Sequence, residues 1–290
     1  MLEEYYNKET KTLLIPFNFN GELKDLPLDT EIIIFEENYG KNEYSKFNQS
    51  TNDLPNSVTH LTFGYSFNQK VDNLPNNLTE LTLGYYFNQK IDNLPNSLKH
   101  VTLGYSFNCQ VDKLPKTLTH LTFGYCFNQK VDNLPTELTH LTFGWRFNQK
   151  VDNLPNNLTD LTFGSYFNQE IDNLPKDITH LTLGDDFNQK VDVLPENLTH
   201  LTFGWCFNKS VDNLPISLTH LSLGWCFNKS VDNLPRTLTY LTLGMSFNQK
   251  ANNLPFNLKK IKILGSNKEV IKKVPEGCKI VDENNTEIFL

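Results

Sequence analysis

Phe67-Asn68-Gln69-Lys70-Val71-Asp72-Asn73-Leu74-Pro75-Asn76-Asn77-Leu78-Thr79-Glu80-Leu81-Thr82-Leu83-Gly84-Tyr85-Tyr86 is one period of a repeat. With these residues numbered 1 to 20, Phe-Asn opens eleven units, from Phe47 to Phe247, with no insertion or deletion between them. Apolar residues fall at positions 1, 5, 8, 12, 15 and 17, which is neither a helical spacing nor a long alternation. Only positions 14 to 17, such as His120-Leu121-Thr122-Phe123, alternate out-in-out-in, and they predict one short strand. Pro at position 9 fixes φ and gives up a donor, so Asn-Leu-Pro reads as extended or turn. Gly at position 18 ends the strand, either because a side chain would obstruct the bend or because the backbone needs positive φ. No room remains for a proper helix.

Six inward residues cannot form a core alone, but stacked coils make continuous ladders of Phe, Val and Leu. The expected fold is all-β: a leucine-rich-repeat-like solenoid of 20-residue coils, one short parallel strand per coil, and almost no helix. The Asn at position 2 is expected to form an internal amide ladder that satisfies backbone groups at the turn. The expected organisation is an N-terminal cap over 1–46, eleven repeats over 47–258 (the last incomplete) and a C-terminal cap over 259–290. The first cap holds a degenerate coil from Phe19-Asn20 through Leu26-Pro27 to Ile33 and Phe35, and then an eight-residue excess around Glu37 to Tyr44. In the second, Val274-Pro275 echoes Leu-Pro, while Asn267 stands where Phe should be. Caps of this kind protect the open edges of a parallel stack.

The repeat also governs composition. Of 290 residues, 14 are Pro and 11 of these recur every 20 residues; all seven His share position 14, and all three Trp share position 19. A formal net charge of −7 argues against a nucleic-acid partner, which needs a basic stripe. No apolar run reaches the length of a membrane span. Glu3 and Glu4 stand where a signal peptide needs positive charge. Five Cys, an odd number without an export signal, point to reduced thiols inside a cell. The expected location is therefore intracellular, not secreted. Sequons such as Asn77-Leu78-Thr79 follow from a period rich in Asn and Thr, and read as unglycosylated.

The pattern Leu-Pro-x-x-Leu-x-x-Leu-x-Phe resembles a leucine-rich repeat of the shortest, helix-free type. Phe127-Asn128-Gln129 with Leu134-Pro135 and Leu138-Thr139-His140-Leu141-Thr142-Phe143-Gly144 is similar to the FNIP repeat of social amoebae and giant DNA viruses. Many such proteins carry an F-box before the repeats, which implies recruitment to a ubiquitin ligase. Only 18 residues precede Phe19 here, too few for an F-box, so that role does not carry over. A viral origin would place the chain in the host cytoplasm.

Two rows offer candidate sites. His60, His100, His120, His140, His180, His200 and His220 occupy the outward side of the strand, interrupted by Glu80, Asp160 and Tyr240. Adjacent pairs are spaced to clasp a metal. Repetition explains the spacing without one, and the expectation is a polar, titratable ladder with no metal and no cofactor. Asp at position 6, from Asp72 to Asp232, is expected to cap turn N–H groups, with Lys70, Lys90, Lys130, Lys150 and Lys190 nearby. Cys206 and Cys226 share position 20, at a spacing compatible with a disulfide, and neither has a His-Asp partner at fixed spacing. No catalytic constellation is present, so the chain does not read as an enzyme.

Position 19 reads Tyr65, Tyr85, Tyr105, Tyr125, Trp145, Ser165, Asp185, Trp205, Trp225, Met245, and should line one rim of the sheet. Exposed aromatics of this kind make interface hot spots. The competing reading, a stacking ladder that shields the core edge, gives no reason for the break at Ser165 and Asp185. The strand-face His and the aromatic rim are thus the expected surface for an unidentified protein partner, on a monomeric, non-catalytic scaffold. The alternative is a structural component, possibly of a virion, that self-assembles head to tail. Residues 1–46 carry net −5 and residues 259–290 net +2, and such ends attract.

Overall fold

The structure is a computed structural model and describes residues 2–265, 271 and 273–288. It divides into two compact units, Met1–Gly144 and Trp145–Leu290. In the first, strands β1 (Tyr6–Asn7), β2 (Thr12–Ile15), β3 (Ile32–Phe35), β4 (His60–Thr62), β5 (Glu80–Thr82), β6 (His100–Thr102), β7 (His120–Thr122) and β8 (His140–Thr142) follow one another in chain order. From β2 onward they pair in parallel, with Leu13, Ile33, Leu61, Leu81, Val101, Leu121 and Leu141 in one register row. The two residues of β1 turn back antiparallel against β2.

In the second unit β9 (Asp160–Thr162), β10 (His180–Thr182), β11 (His200–Thr202), β12 (His220–Ser222), β13 (Tyr240–Leu243), β14 (Lys260–Ile263) and β15 (Lys279–Val281) are parallel, and β16 (Glu287–Ile288) turns back antiparallel. Short antiparallel ends of this kind blunt an exposed edge. Two 3-10 turns, Leu2–Tyr5 and Tyr39–Lys41, are the only helical elements among the described residues. The solenoid of 20-residue, parallel-strand coils expected from the spacing is the fold found in each unit.

All six apolar positions point inward. In the coil quoted above Phe67, Val71, Leu74, Leu78, Leu81 and Leu83 are buried, and Pro75 joins them. The Phe at position 1 stack coil on coil, with centroids 6.0 Å apart for Phe67–Phe87 and 6.1 Å for Phe87–Phe107 and Phe147–Phe167. Where position 17 is also Phe, its ring lies face to face with the position-1 ring of the next unit, at 3.7 Å for Phe63–Phe67 and Phe203–Phe207. Each coil turns tightly after its proline, where Leu78 N donates to Pro75 O at 3.1 Å.

Glycine at position 18 answers to steric need, not to a left-handed backbone. A Cβ on Gly104 would lie 1.8 Å from the carbonyl oxygen of Gly84. Among described glycines only Gly277 has positive φ, at 75°.

The Asn row differs from expectation in place but not in pairing. Asn68, Asn88 and Asn108 are half-buried or exposed, so the ladder runs along the surface. Each Oδ1 accepts the N–H of the next Asn: Asn48 from Asn68, Asn68 from Asn88 and Asn88 from Asn108, all at 2.9 Å. It begins at Asn20, which accepts from Asn48 N at 2.8 Å, so the degenerate first coil carries this bond as well as buried Leu26, Ile33 and Phe35. The eight-residue excess folds on itself through a bridge between Asn38 and Glu43. Strand β2, with Leu13 and Ile15 fully buried, is a further rung that the spacing did not disclose. Asn267 lies outside the described residues.

Candidate functional site

The strand face and the rim are set by the same register. The repeat strands β4 to β13 present positions 14 and 16 outward and position 15 inward, so His120 and Thr122 stay half-exposed while Leu121 is buried. In the first unit His100 and His120 meet edge to face at 4.4 Å, and His120 and His140 stack at 4.1 Å. In the second, His180–His200 stack at 4.3 Å, His200–His220 at 4.1 Å and His220–Tyr240 at 4.4 Å. Thr at position 13 orients the rings that follow it: Thr119 Oγ1 and His120 Nδ1 are 2.9 Å apart, and Thr219 Oγ1 and His220 Nδ1 2.8 Å, while His100 follows Lys99. Burial, then the neighbouring imidazoles His220 and His180, hold His200 below the ordinary histidine value. Burial and then His180 lower His220 in the same direction.

The acidic interruptions of this row are partners rather than gaps. Glu80 Oε1 lies 3.4 Å from His60 Nε2 and 3.1 Å from His100 Nδ1, and Asp160 Oδ1 lies 3.6 Å from His180 Nδ1. Carboxylates therefore do join the histidine row. Among the described residues, however, no three His, Cys, Asp or Glu side chains converge to hold a metal ion.

Asp at position 6 does not follow the expected turn-capping role. Asp72 Oδ1 accepts from Asn93 Nδ2 at 3.1 Å, and Asp112, Asp152, Asp192 and Asp212 accept likewise from Asn133, Asn173, Asn213 and Asn233. The partner is the position-7 amide of the next coil. Asp232 accepts turn N–H groups, from Asn252 at 3.0 Å and Asn253 at 3.1 Å. Cys206 and Cys226 are free thiols, and burial pushes Cys206 up, with Cys226 and two aspartates adding to it.

The rim is built by a backbone ladder in which each position-20 N–H donates to the position-19 carbonyl one coil earlier. Ser106 N meets Tyr85 O at 2.9 Å, and Cys226 N meets Trp205 O at 2.8 Å. Position-19 side chains are thereby held in a row. Tyr65–Tyr85 stack at 4.6 Å, Tyr85–Tyr105 at 4.4 Å and Tyr105–Tyr125 at 4.5 Å. The Tyr65 phenol is pushed up to about 12, first by its hydrogen bond with Tyr86 and then by burial. In the second unit Trp205 and Trp225 stack at 4.4 Å with planes 3° apart, and Trp145 meets Tyr166 edge-on at 6.2 Å. The break between them is a polar substitute for stacking. Ser165 Oγ donates to Asp185 Oδ2 at 2.9 Å, and Asp185 Oδ1 accepts from Trp205 N at 3.4 Å. No sequence signal announced this bond, because it joins two residues 20 apart whose types occur nowhere else in the row.

The chain matches the FNIP Repeat family eight times, over residues 47–86, 70–106, 87–126, 127–166, 150–186, 167–206, 187–226 and 207–246. It belongs to the FNIP repeat family. The resemblance carried by Phe127-Asn128-Gln129 and Leu134-Pro135 thus holds across most of the chain. Among solved structures, this FNIP chain is similar to CroV588, a circular leucine-rich-repeat protein of a giant virus, with 43% identity over 93% of this chain and a TM-score of 0.83. It spans 43% of that protein's length. A domain of InlJ from Listeria monocytogenes shares the fold at 13% identity, covering 83% of this chain and 53% of its own, with a TM-score of 0.57. No curated protein sequence matches the chain. Among the described residues no helix is long and apolar enough to cross a membrane.

Proposed function

We propose that this FNIP chain is a non-catalytic recognition scaffold that binds another protein, inside the cell, through its strand face and aromatic rim. The observation that carries the proposal is the Trp205–Trp225 pair, 49% and 37% exposed yet held parallel at 4.4 Å by its backbone ladder. Large aromatic surface that is exposed and already immobilised gives up little conformational freedom on binding, which is what hot-spot residues supply. Trp145 and Tyr105 add exposed aromatic surface, while Tyr65, Tyr85 and Tyr125 offer edges of a closed stack. The net charge of −7 favours a protein over a nucleic acid.

The test begins with crosslinking the tagged chain in its native cell to identify a partner, whose affinity is then measured. Changing Trp205 and Trp225 together to Ser should weaken that complex about thirtyfold or more, with melting nearly unchanged. His120→Gln and His140→Gln provide the internal comparison, and loss confined to them would move recognition to the strand face. A Trp pair that simply unfolds the chain would make position 19 core edging and end the rim reading. A second reading, head-to-tail self-assembly, is favoured by the net −5 of residues 1–46 against the +2 of residues 259–290. Sedimentation over a concentration series separates the two, since only the assembling chain gains mass as it is concentrated.

A further inference from the structure

Ser165 and Asp185 stand at two consecutive position-19 rungs, and the backbone ladder runs through them undisturbed. Tyr166 N donates to Trp145 O at 2.9 Å, Asp186 N to Ser165 O at 2.8 Å and Cys206 N to Asp185 O at 2.7 Å. The rungs are therefore in place, but neither bears a ring. With a rise of about 4.8 Å per coil, Trp145 and Trp205 stand about 14 Å apart across three coil steps. Two planar groups fit in that interval at the 4.4 Å spacing seen for Trp205 on Trp225. One ring face of Trp205 is covered by Trp225, and at the preceding rung Asp185 Oδ1 accepts from the Trp205 backbone N–H at 3.4 Å. Trp205, Trp145 and Tyr166 around the gap are 49%, 43% and 47% exposed. Its charged lining is acidic: Asp185 and Asp186 are both exposed, and Asp185 retains acceptor capacity beyond its bonds to Ser165 and Trp205. The nearest basic residue of this row in sequence is Arg146, on the Trp145 side, two coils before Asp186.

We infer that this two-rung gap is the seat for an arginine side chain of the partner protein. A guanidinium is planar, stacks on an indole face as a ring would, and presents donors in its own plane to a carboxylate. It would continue the interrupted stack on Trp205 while donating to Asp185 and Asp186. An aromatic ring would fill the rungs but supply neither carboxylate with a positive charge. A lysine ammonium would pair with them but stack poorly. The inference rests on the rim reading and names the chemistry of its central contact.

All three Trp of the chain line this rim, so intrinsic fluorescence reports the site directly. The probe is acetyl-Gly-Arg-Gly-amide, compared with the same peptide carrying citrulline, which keeps the plane and loses the charge. The arginine peptide should change the emission saturably, and the citrulline peptide should bind about tenfold more weakly. Asp185→Asn, which keeps an oxygen for the Ser165 hydroxyl, should reduce arginine affinity to the citrulline level. Ile216→Ser, at exposed position 10 and away from the rim, should leave it unchanged. Equal binding of the two peptides, an unchanged Asp185→Asn affinity, or no saturable response would each overturn the assignment. With an identified partner the two ideas separate. If the Trp205 and Trp225 changes abolish capture while Asp185→Asn does not, the rim stands and the arginine seat falls.

Discussion

Replacing Gly104 by Ala tests the packing of the coils at its tightest point. The new Cβ would sit 1.8 Å from Gly84 O, 2.5 Å from Gly84 C and 2.7 Å from Leu83 O, all backbone atoms. An ordinary carbon–oxygen contact is about 3.3–3.6 Å, so the coils must part locally by about 1.5 Å. Ser106 N and Tyr85 O, now 2.9 Å apart, would then exceed hydrogen-bonding distance. Losing that bond costs about 1 kcal/mol. Disturbing the Tyr85–Tyr105 stack at 4.4 Å costs about 0.5–1.5 kcal/mol. Overpacking strain adds about 1–3 kcal/mol. Against these, the reduced freedom of the unfolded chain returns about 0.4–1 kcal/mol. The expected net loss is about 3 kcal/mol, read as a shift in the urea midpoint. Gly40→Ala serves as control, since its Cβ would meet only Asn38 Oδ1, at an ordinary 3.5 Å. If Gly104→Ala unfolds at the same urea concentration as Gly40→Ala, the coils are not in contact at position 18 and the packing argument is wrong.

Phe127→Ala should lose about 3–5 kcal/mol, because a fully buried ring stacked at 3.7 Å on Phe123 leaves a cavity that its neighbours cannot fill; an unchanged urea midpoint would refute the inward ladder. The strand face should make stability depend on pH. His200 and His220 are held below 6.5 in the folded chain, so the unfolded chain binds protons first as pH falls through that value. Stability is then complete above about pH 7 and declines from the ordinary histidine value down toward the lowered folded one. Melting between pH 7.5 and 5.5 should show a decline that is smaller in His200→Gln, and an equal decline in both proteins would refute the assignment.

Much of this fold could be read from one period because burial and register are local properties of the repeat. Positions 15 and 17 alternate with 14 and 16, and that alternation alone puts Leu121 inside and His120 outside. Pro at 9 and Gly at 18 mark bends by their own covalent limits. The bonds between coils were legible only where both partners belong to the period. Asn68 to Asn88 is such a case, although its exposure was not foreseen, because an amide that serves a backbone N–H need not be buried to do so. Asp72 to Asn93 leaves no mark within a single coil, because the partner stands one coil and one position on. Strand β2 escaped because Thr12–Ile15 has neither the proline nor the glycine that brackets later strands. Ser165 and Asp185 read as a break because a hydrogen bond that replaces a ring stack leaves no periodic trace.

The constant register of each unit makes chain length a separable variable. Removing residues 87–106 would join Tyr86 to Phe107, so that Phe67 meets Phe107, Leu81 meets Leu121 and Asn68 accepts from Asn108, each the same kind of neighbour as before. A duplication of twenty codons, beginning anywhere in the period, is equally silent at its junctions. Recombination between misaligned copies therefore yields longer or shorter proteins that still fold. Selection can then adjust reach by whole coils and specificity by single rungs, with no trade between them.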